Sequence, residues 1–256
     1  VSTSMFVAYS ELTRVLPWSL RALGYAFGTA DRGAHLVATG AALDPAILEE
    51  IRQAGPRPSH GFRYRKSNGL TMLDAAGVSF LETGPAAIDA LAAHAGGAKW
   101  EMCRILAATE LSLVPATLVG AMDYNLSSIG IIARDGTFDW LLADPDARGV
   151  LYSGRGGDAL AALLGEDTAV LESIDAAGLT PGCALLMVSA RRPELKASGH
   201  VAVRPREKIA MAHQKGIPLS RETLDALYAL EMLTWAPTSE RSRSQAGFTV
   251  APAPNS

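Results

Sequence analysis

"LTMLDAAGVSFLETGPAAIDALAAHAGG", residues 70–97, changes its hydrophobic period partway along. Its opening is a short apolar run that suits a strand, Asp74 to Gly77 suits a turn, and a second apolar run suits another strand. Gly84-Pro85 then opens an alanine-rich stretch that fits a helix. The segment therefore predicts a strand-to-helix transition. Wherever that order repeats, strands alternate with helices and an α/β layer is expected.

It repeats downstream. "CRILAATELSLVPATLVGAMDYNLSSIGIIARDG" predicts a strand around 103–109, a helix near 113–124 and a strand around 127–134. "TFDWLLADP" adds a strand, "GVLYSGRGGDALAALLGED" reads as strand, glycine turn and helix, and "CALLMVSA" is a further strand after the turn "LTPG". Upstream, apolar residues recur at three- and four-residue spacing over 10–54 and give two or three helices, the last capped by Asp44 with Pro45 at its first position. "SRETLDALYALEML" is a final helix with Ser220 at its start. The expected fold class is α/β, with N-terminal helices followed by a mixed sheet with alternating helices. One compact unit over 1–256 is expected: a helical part 10–54, an α/β core 68–200, a C-terminal helical segment 201–247 and a flexible tail 248–256.

Composition narrows the function classes. The 256 residues are 48% hydrophobic and 19% charged, which suits a folded globular chain. A net charge of −3 and a pI near 6.0 give no global basic field for a phosphate backbone, so nucleic acid is not an expected partner. No apolar run has the length of a membrane span, and the start lacks a basic segment followed by an apolar signal core, so no membrane partner and a cytoplasmic location are expected. Cys103 and Cys183 lack the close spacing of a zinc site and are expected to be buried, reduced thiols. No Gly-x-Ser-x-Gly, His-Glu-x-x-His, Cys-x-x-Cys or magnesium-spaced acidic cluster occurs, and no metal is expected.

Four segments could carry chemistry. "PRPSHGFRYRK", residues 56–66, sets His60 beside Arg63, Arg65 and Lys66 in an expected loop; the imidazole suits acid or base work and the arginines suit a carboxylate or phosphate. The bland alternative is a solvated basic loop. "FLETGPAAID" places Glu82 and Thr83 at an expected strand end before a helix, where anions bind and active sites of α/β folds form; alternatively they only cap that helix. In "YSGRGGDALAALLG", Gly154, Arg155 and Gly156 could approach a cofactor phosphate, or could make a tight surface turn. "WAPTSERSRSQAG", residues 235–247, offers Arg241 and Arg243 as substrate-binding groups on a lid or intersubunit segment, or is a frayed end.

Two resemblances bear on these segments. Gly24-Tyr25, Gly28 and Ala30, with Trp235-Ala236-Pro237, Ser239-Glu240 and Ser242-Arg243, resemble the termini of an uncharacterised bacterial domain family. Ser59-His60-Gly61 followed by Arg63, and the layout over roughly residues 20–145, are distantly similar to the malate/L-lactate and sulfolactate dehydrogenase-like family. The second resemblance implies a dehydrogenase-like, non-Rossmann architecture, NAD(P)H-dependent reduction of a small 2-oxo acid or cyclic imino acid, and a homodimer. It also implies that His60 donates a proton and Arg63 holds the substrate carboxylate. Where that family has an Asn-x-His-(Phe)-Gly segment, this chain reads "TELSLVP"; its later Asn-Pro segment appears as "ADPDA". Two other readings stay open: a non-redox enzyme acting on a small carboxylate or amide through His60 and Glu82, and a noncatalytic subunit or ligand-binding protein.

Overall fold

The computed structural model describes residues 4–53, 61–67, 70–96, 99–146, 149–165, 168–196 and 200–234. The N-terminal pattern resolves into a short strand β1 (Ser4–Val7) and helices α1 (Tyr9–Ala22), α2 (Phe27–Leu43) and α3 (Ala46–Gln53). Asp44 Oδ1 accepts the Ala46 amide at 3.0 Å, the capping role expected of it. The basic loop is in fact strand β2 (Arg63–Ser67), paired antiparallel with β3 (Leu70–Asp74). Arg63, Arg65 and Lys66 are exposed on this edge strand, where charge keeps other strand edges from adding on.

The second apolar strand expected before Gly84 does not form. Helix α4 spans Phe80–Ala92, because Ser79 takes the cap position and its hydroxyl accepts the Leu81 amide at 3.1 Å. Phe80 and Leu81 enter the core from the first turn, and burying them outweighs the one helical hydrogen bond that Pro85 cannot make. Only an isolated parallel bridge, Ser79 to Thr109, remains of the expected strand.

Strand β4 (Glu101–Leu106) is followed by a 3₁₀ turn (Leu111–Leu113), helix α5 (Val114–Asp123), β5 (Ser127–Arg134), β6 (Thr137–Asp144) and β7 (Val150–Arg155). Helices α6 (Gly157–Leu164) and α7 (Thr168–Ala176), strands β8 (Ala184–Ser189) and β9 (Val201–Val203), α8 (Pro205–Lys215), β10 (Ile217–Ser220) and α9 (Arg221–Thr234) complete the described chain. The eight-stranded sheet runs β2-β3-β4-β8-β5-β6-β7-β9. Its β3–β4 pair is parallel and its other pairs are antiparallel. The fold is therefore a mixed α/β sheet with helices on both faces, not a doubly wound Rossmann sheet.

Alternation along each strand builds two cores. Cys103, Ile105, Ile132, Ala184, Leu186 and Val188 face the layer of α1–α5, while Ile129, Ile131, Trp140, Leu185 and Met187 face α6 and α7. Both cysteines are buried free thiols, and burial pushes Cys103 up to about 12. Gly130 lets α5 settle on β5, since a Cβ there would lie 2.6 Å from Val114 Cγ1. The chain ends of the described region are tied together: β1 pairs antiparallel with β10, and Ser19 Oγ of α1 donates to Leu227 O of α9 at 2.9 Å.

Candidate functional site

Strand directions gather the chemistry at one edge. β3 and β4 run parallel, and the antiparallel steps through β8, β5 and β6 bring β5 and β7 back to the same direction. The carboxyl ends of β3, β4, β5 and β7 therefore share one edge of the sheet. One register row, Leu73–Ile105–Ala184–Ile132–Asp139–Arg155, crosses it.

The β3 and β4 ends are stitched together by backbone hydrogen bonds. Ala75 N donates to Leu106 O at 3.0 Å, Gly77 N to Ala107 O at 2.9 Å and Phe80 N to Thr109 O at 2.9 Å. To make these contacts Ala76, Ala107 and Glu110 adopt φ of 47°, 52° and 53°. Left-handed backbone costs a non-glycine residue about 1–2 kcal/mol, and three such residues in two adjoining loops are concentrated strain of the kind found at functional sites. Glu110 is 6% exposed, and Thr109 Oγ1 donates to its Oε2 at 2.6 Å. Beyond it Ser112 Oγ donates to Glu50 of α3. The sequence reading missed Thr109 and Glu110. A lone acid in "TELSLVP" carries no motif, and only the neighbouring β3 loop makes it part of a site.

The expected site residues are distributed unevenly around this edge. Glu82 lies in the first turn of α4, within the helix instead of at a strand end. Thr83 is fully buried and its hydroxyl donates back to Ser79 O at 3.2 Å, so that group serves the helix. Arg63 and Arg65 are register partners of Asp74 and Met72, on the α6–α7 face of the sheet, whereas α4 covers the other face. Arg63 begins β2 beside Asp74 at the candidate edge; Arg65 stands two residues farther from it. His60, Arg241 and Arg243 lie outside the described residues.

The glycine turn sits at the same edge, four strands from β4, about 19 Å at ordinary strand spacing. Gly154 faces Trp140: a Cβ would lie 2.3 Å from the indole Cζ2, so the absent side chain makes room for an aromatic ring. Arg155 Nε donates to Asp139 Oδ1 at 2.7 Å and Arg134 Nε to Oδ2 at 2.8 Å; the Arg155 and then the Arg134 guanidinium hold that carboxyl below its ordinary range. Gly156 has φ 77°, and among the described residues no backbone carbonyl takes the amides of Gly157, Asp158 or Ala159 at the start of α6. These amides, with one net positive charge in the Arg134–Asp139–Arg155 trio, fit a phosphate of a nucleotide; the Asp158 carboxylate in the same turn weakens that fit. Among the described residues no three His, Cys, Asp or Glu side chains gather as a metal-holding group, and no helix is long and apolar enough to cross a membrane.

With this geometry in place, the chain can be set beside known proteins. No protein-family model and no curated protein matches it in sequence. Solved structures of dehydrogenases and reductases do match it in three dimensions. Malate dehydrogenase from Entamoeba histolytica is 9% identical with a TM-score of 0.63, over 92% of this chain and 99% of its own. Delta1-piperideine-2-carboxylate reductase from Pseudomonas syringae pvar. tomato is 13% identical with a TM-score of 0.59, over 88% of this chain and 99% of its own. Sulfolactate dehydrogenase from Methanocaldococcus jannaschii is 9% identical with a TM-score of 0.57, over 88% and 96%. At identities this low the likeness shows the fold: a dehydrogenase-like, non-Rossmann architecture.

Proposed function

We propose that the protein is an NAD(P)H-dependent reductase of a small 2-oxo acid or cyclic imino acid, working at the carboxyl edge of β3 and β4. The observation that carries this reading is the extent of the fold likeness, which takes in nearly the whole of each dehydrogenase or reductase compared and about nine-tenths of this chain. The concentrated strain at Ala76, Ala107 and Glu110 supports that edge as the working part. Gly61, the sequence neighbour of His60, leads into β2 beside Asp74 at the same edge.

In this reading His60 gives a proton from its imidazole to the substrate oxygen or imine nitrogen, and Arg63 orients the substrate carboxylate through its planar fork. Glu82 lines the pocket from the first turn of α4, Arg65 adds positive charge from the other face of the sheet, and the Thr83 hydroxyl stays with Ser79 O; Arg241 and Arg243 are assigned as further groups for the anionic substrate. Gly156 and the open amides of α6 hold a cofactor phosphate with Arg155 beside them, and Gly154 sets the end of β7 beneath Trp140. A nicotinamide supplies hydride when bound. A homodimer is part of the reading.

A second reading rests on Glu110. Its burial beside Thr109 at the strained edge suits acid/base work with His60 and Glu82 on a carboxylate or amide, without redox chemistry. Calorimetric titration with NADH and NADPH separates the two. Saturable micromolar binding, followed by substrate-dependent NADH oxidation with a 2-oxo acid or cyclic imine, is the expected result; no binding of either nucleotide favours the second reading. His60→Ala is expected to cut turnover at least 100-fold with an unchanged circular dichroism spectrum, and unchanged turnover removes the proton-donor role.

A further inference from the structure

A cavity of about 430 Å³ opens in the helical layer between α2, α4, α5 and α8, away from the sheet edge. Its residues on α4 are Pro85 and Ile88, six and nine residues beyond Ser79, about 9 and 14 Å along the helix. We infer that this cavity is a second binding site, for a small amphipathic carboxylic acid with a branched or aromatic body.

The floor sets the body of the ligand. Leu36, Ile88, Ala116 and Val119 line the cavity, each less than a tenth exposed. Gly120 also lines it, and a Cβ built there meets nothing within 4 Å, so α5 leaves this space open although a larger side chain would fit. The volume falls within the range of small-molecule sites, about 300–1,000 Å³.

The rim sets the charge. Arg32 is committed: Nη1 and Nη2 donate to Asp89 at 2.5 and 2.7 Å, and Tyr124 Oη donates to the same carboxylate at 3.2 Å. That pair and its tyrosine neutralise one side of the mouth. On the other side Arg206 has, among the described residues, only Asp123 as an ionic partner, at 3.9 Å and too far for a hydrogen bond, and both side chains are more than half exposed. His35 adds ring nitrogens for which the described residues provide no hydrogen-bond partner. A carboxylate can take two donors from the Arg206 fork, while Asp123 is free to turn into solvent. An amine offered to the same mouth would meet Arg206 and His35, and among the described residues at the mouth the one carboxylate not already shared by an arginine and a tyrosine is Asp123.

Calorimetry on the purified full chain tests this with phenylacetate and 4-methylpentanoate as probes and with phenethylamine and acetate as controls. Saturable binding of the two apolar acids is expected, at least 10-fold weaker in Arg206→Ala and lost in Gly120→Phe, with no binding of phenethylamine or acetate. The Gly120→Phe side chain enters open space, and its unfolding midpoint checks that the chain still folds; Arg206→Ala alters an exposed side chain and keeps the test valid in any case. No binding of either acid, equal binding of phenethylamine, or affinity unchanged in Arg206→Ala would each overturn the proposal. Binding unchanged in a folded Gly120→Phe would place the acids elsewhere and overturn it too.

Discussion

Gly154 shows how a residue's meaning depends on its neighbour across the sheet. In sequence it belongs to a glycine-rich turn; in the structure it is the register partner of Trp140, and the indole covers the bare backbone. Gly154→Ala puts a methyl 2.3 Å from the ring. Overpacking of this kind costs about 1–3 kcal/mol, so the midpoint of urea unfolding should fall with an unchanged slope. Glu110 is the converse case, a residue with no sequence signal that acquires a place through burial, a left-handed backbone and Thr109. Arg63 and Arg65, two apart, are held on one face of the sheet by strand alternation, which a loop reading could not foresee.

Among the elements, those with strong periodicity were legible: the N-terminal helices, α5, β5 and β8 formed close to where the apolar spacing placed them. The Val78–Thr83 stretch did not, because an apolar run of that length serves a strand or a buried helix turn equally well. Ser79 decided it by capping α4. Helix α7 depends on a partner far away in sequence: Arg104 of β4 donates through Nη1 to Ala177 O and, at 3.2 Å, to Gly178 O. These bonds satisfy carbonyls just past the helix end. Arg104→Met is expected to remove about 1–3 kcal/mol, seen as faster amide exchange across α7 before the rest of the sheet.

Across the whole molecule, ion pairs fasten one end of the described chain to the other. Arg14 Nη1 donates to buried Glu231 of α9 at 2.7 Å, while Glu11 accepts from Arg14 and from Tyr228. Arg14 and then Tyr228 hold Glu11 down to about 2 from 4.5, and Arg52 does the same for Glu49. A carboxyl depressed in the folded state stabilises it fully above the unfolded pKa, and that stability is lost as pH falls toward the folded value. Unfolding midpoints should therefore be flat down to about pH 5 and drop between there and pH 2. Salt should shrink the drop, because these pairs are partly exposed; a midpoint independent of pH over that window would count against the ion pairs. Periodicity and composition by themselves determined that this chain is a folded α/β protein, which elements most of it forms and that the basic segment precedes a strand, since apolar spacing and capping are local. Strand direction, the two-faced core, the parallel β3–β4 edge with its strained loops, and the cavity between α2, α4, α5 and α8 were decided by the tertiary structure alone, because each depends on which distant segments pair and pack.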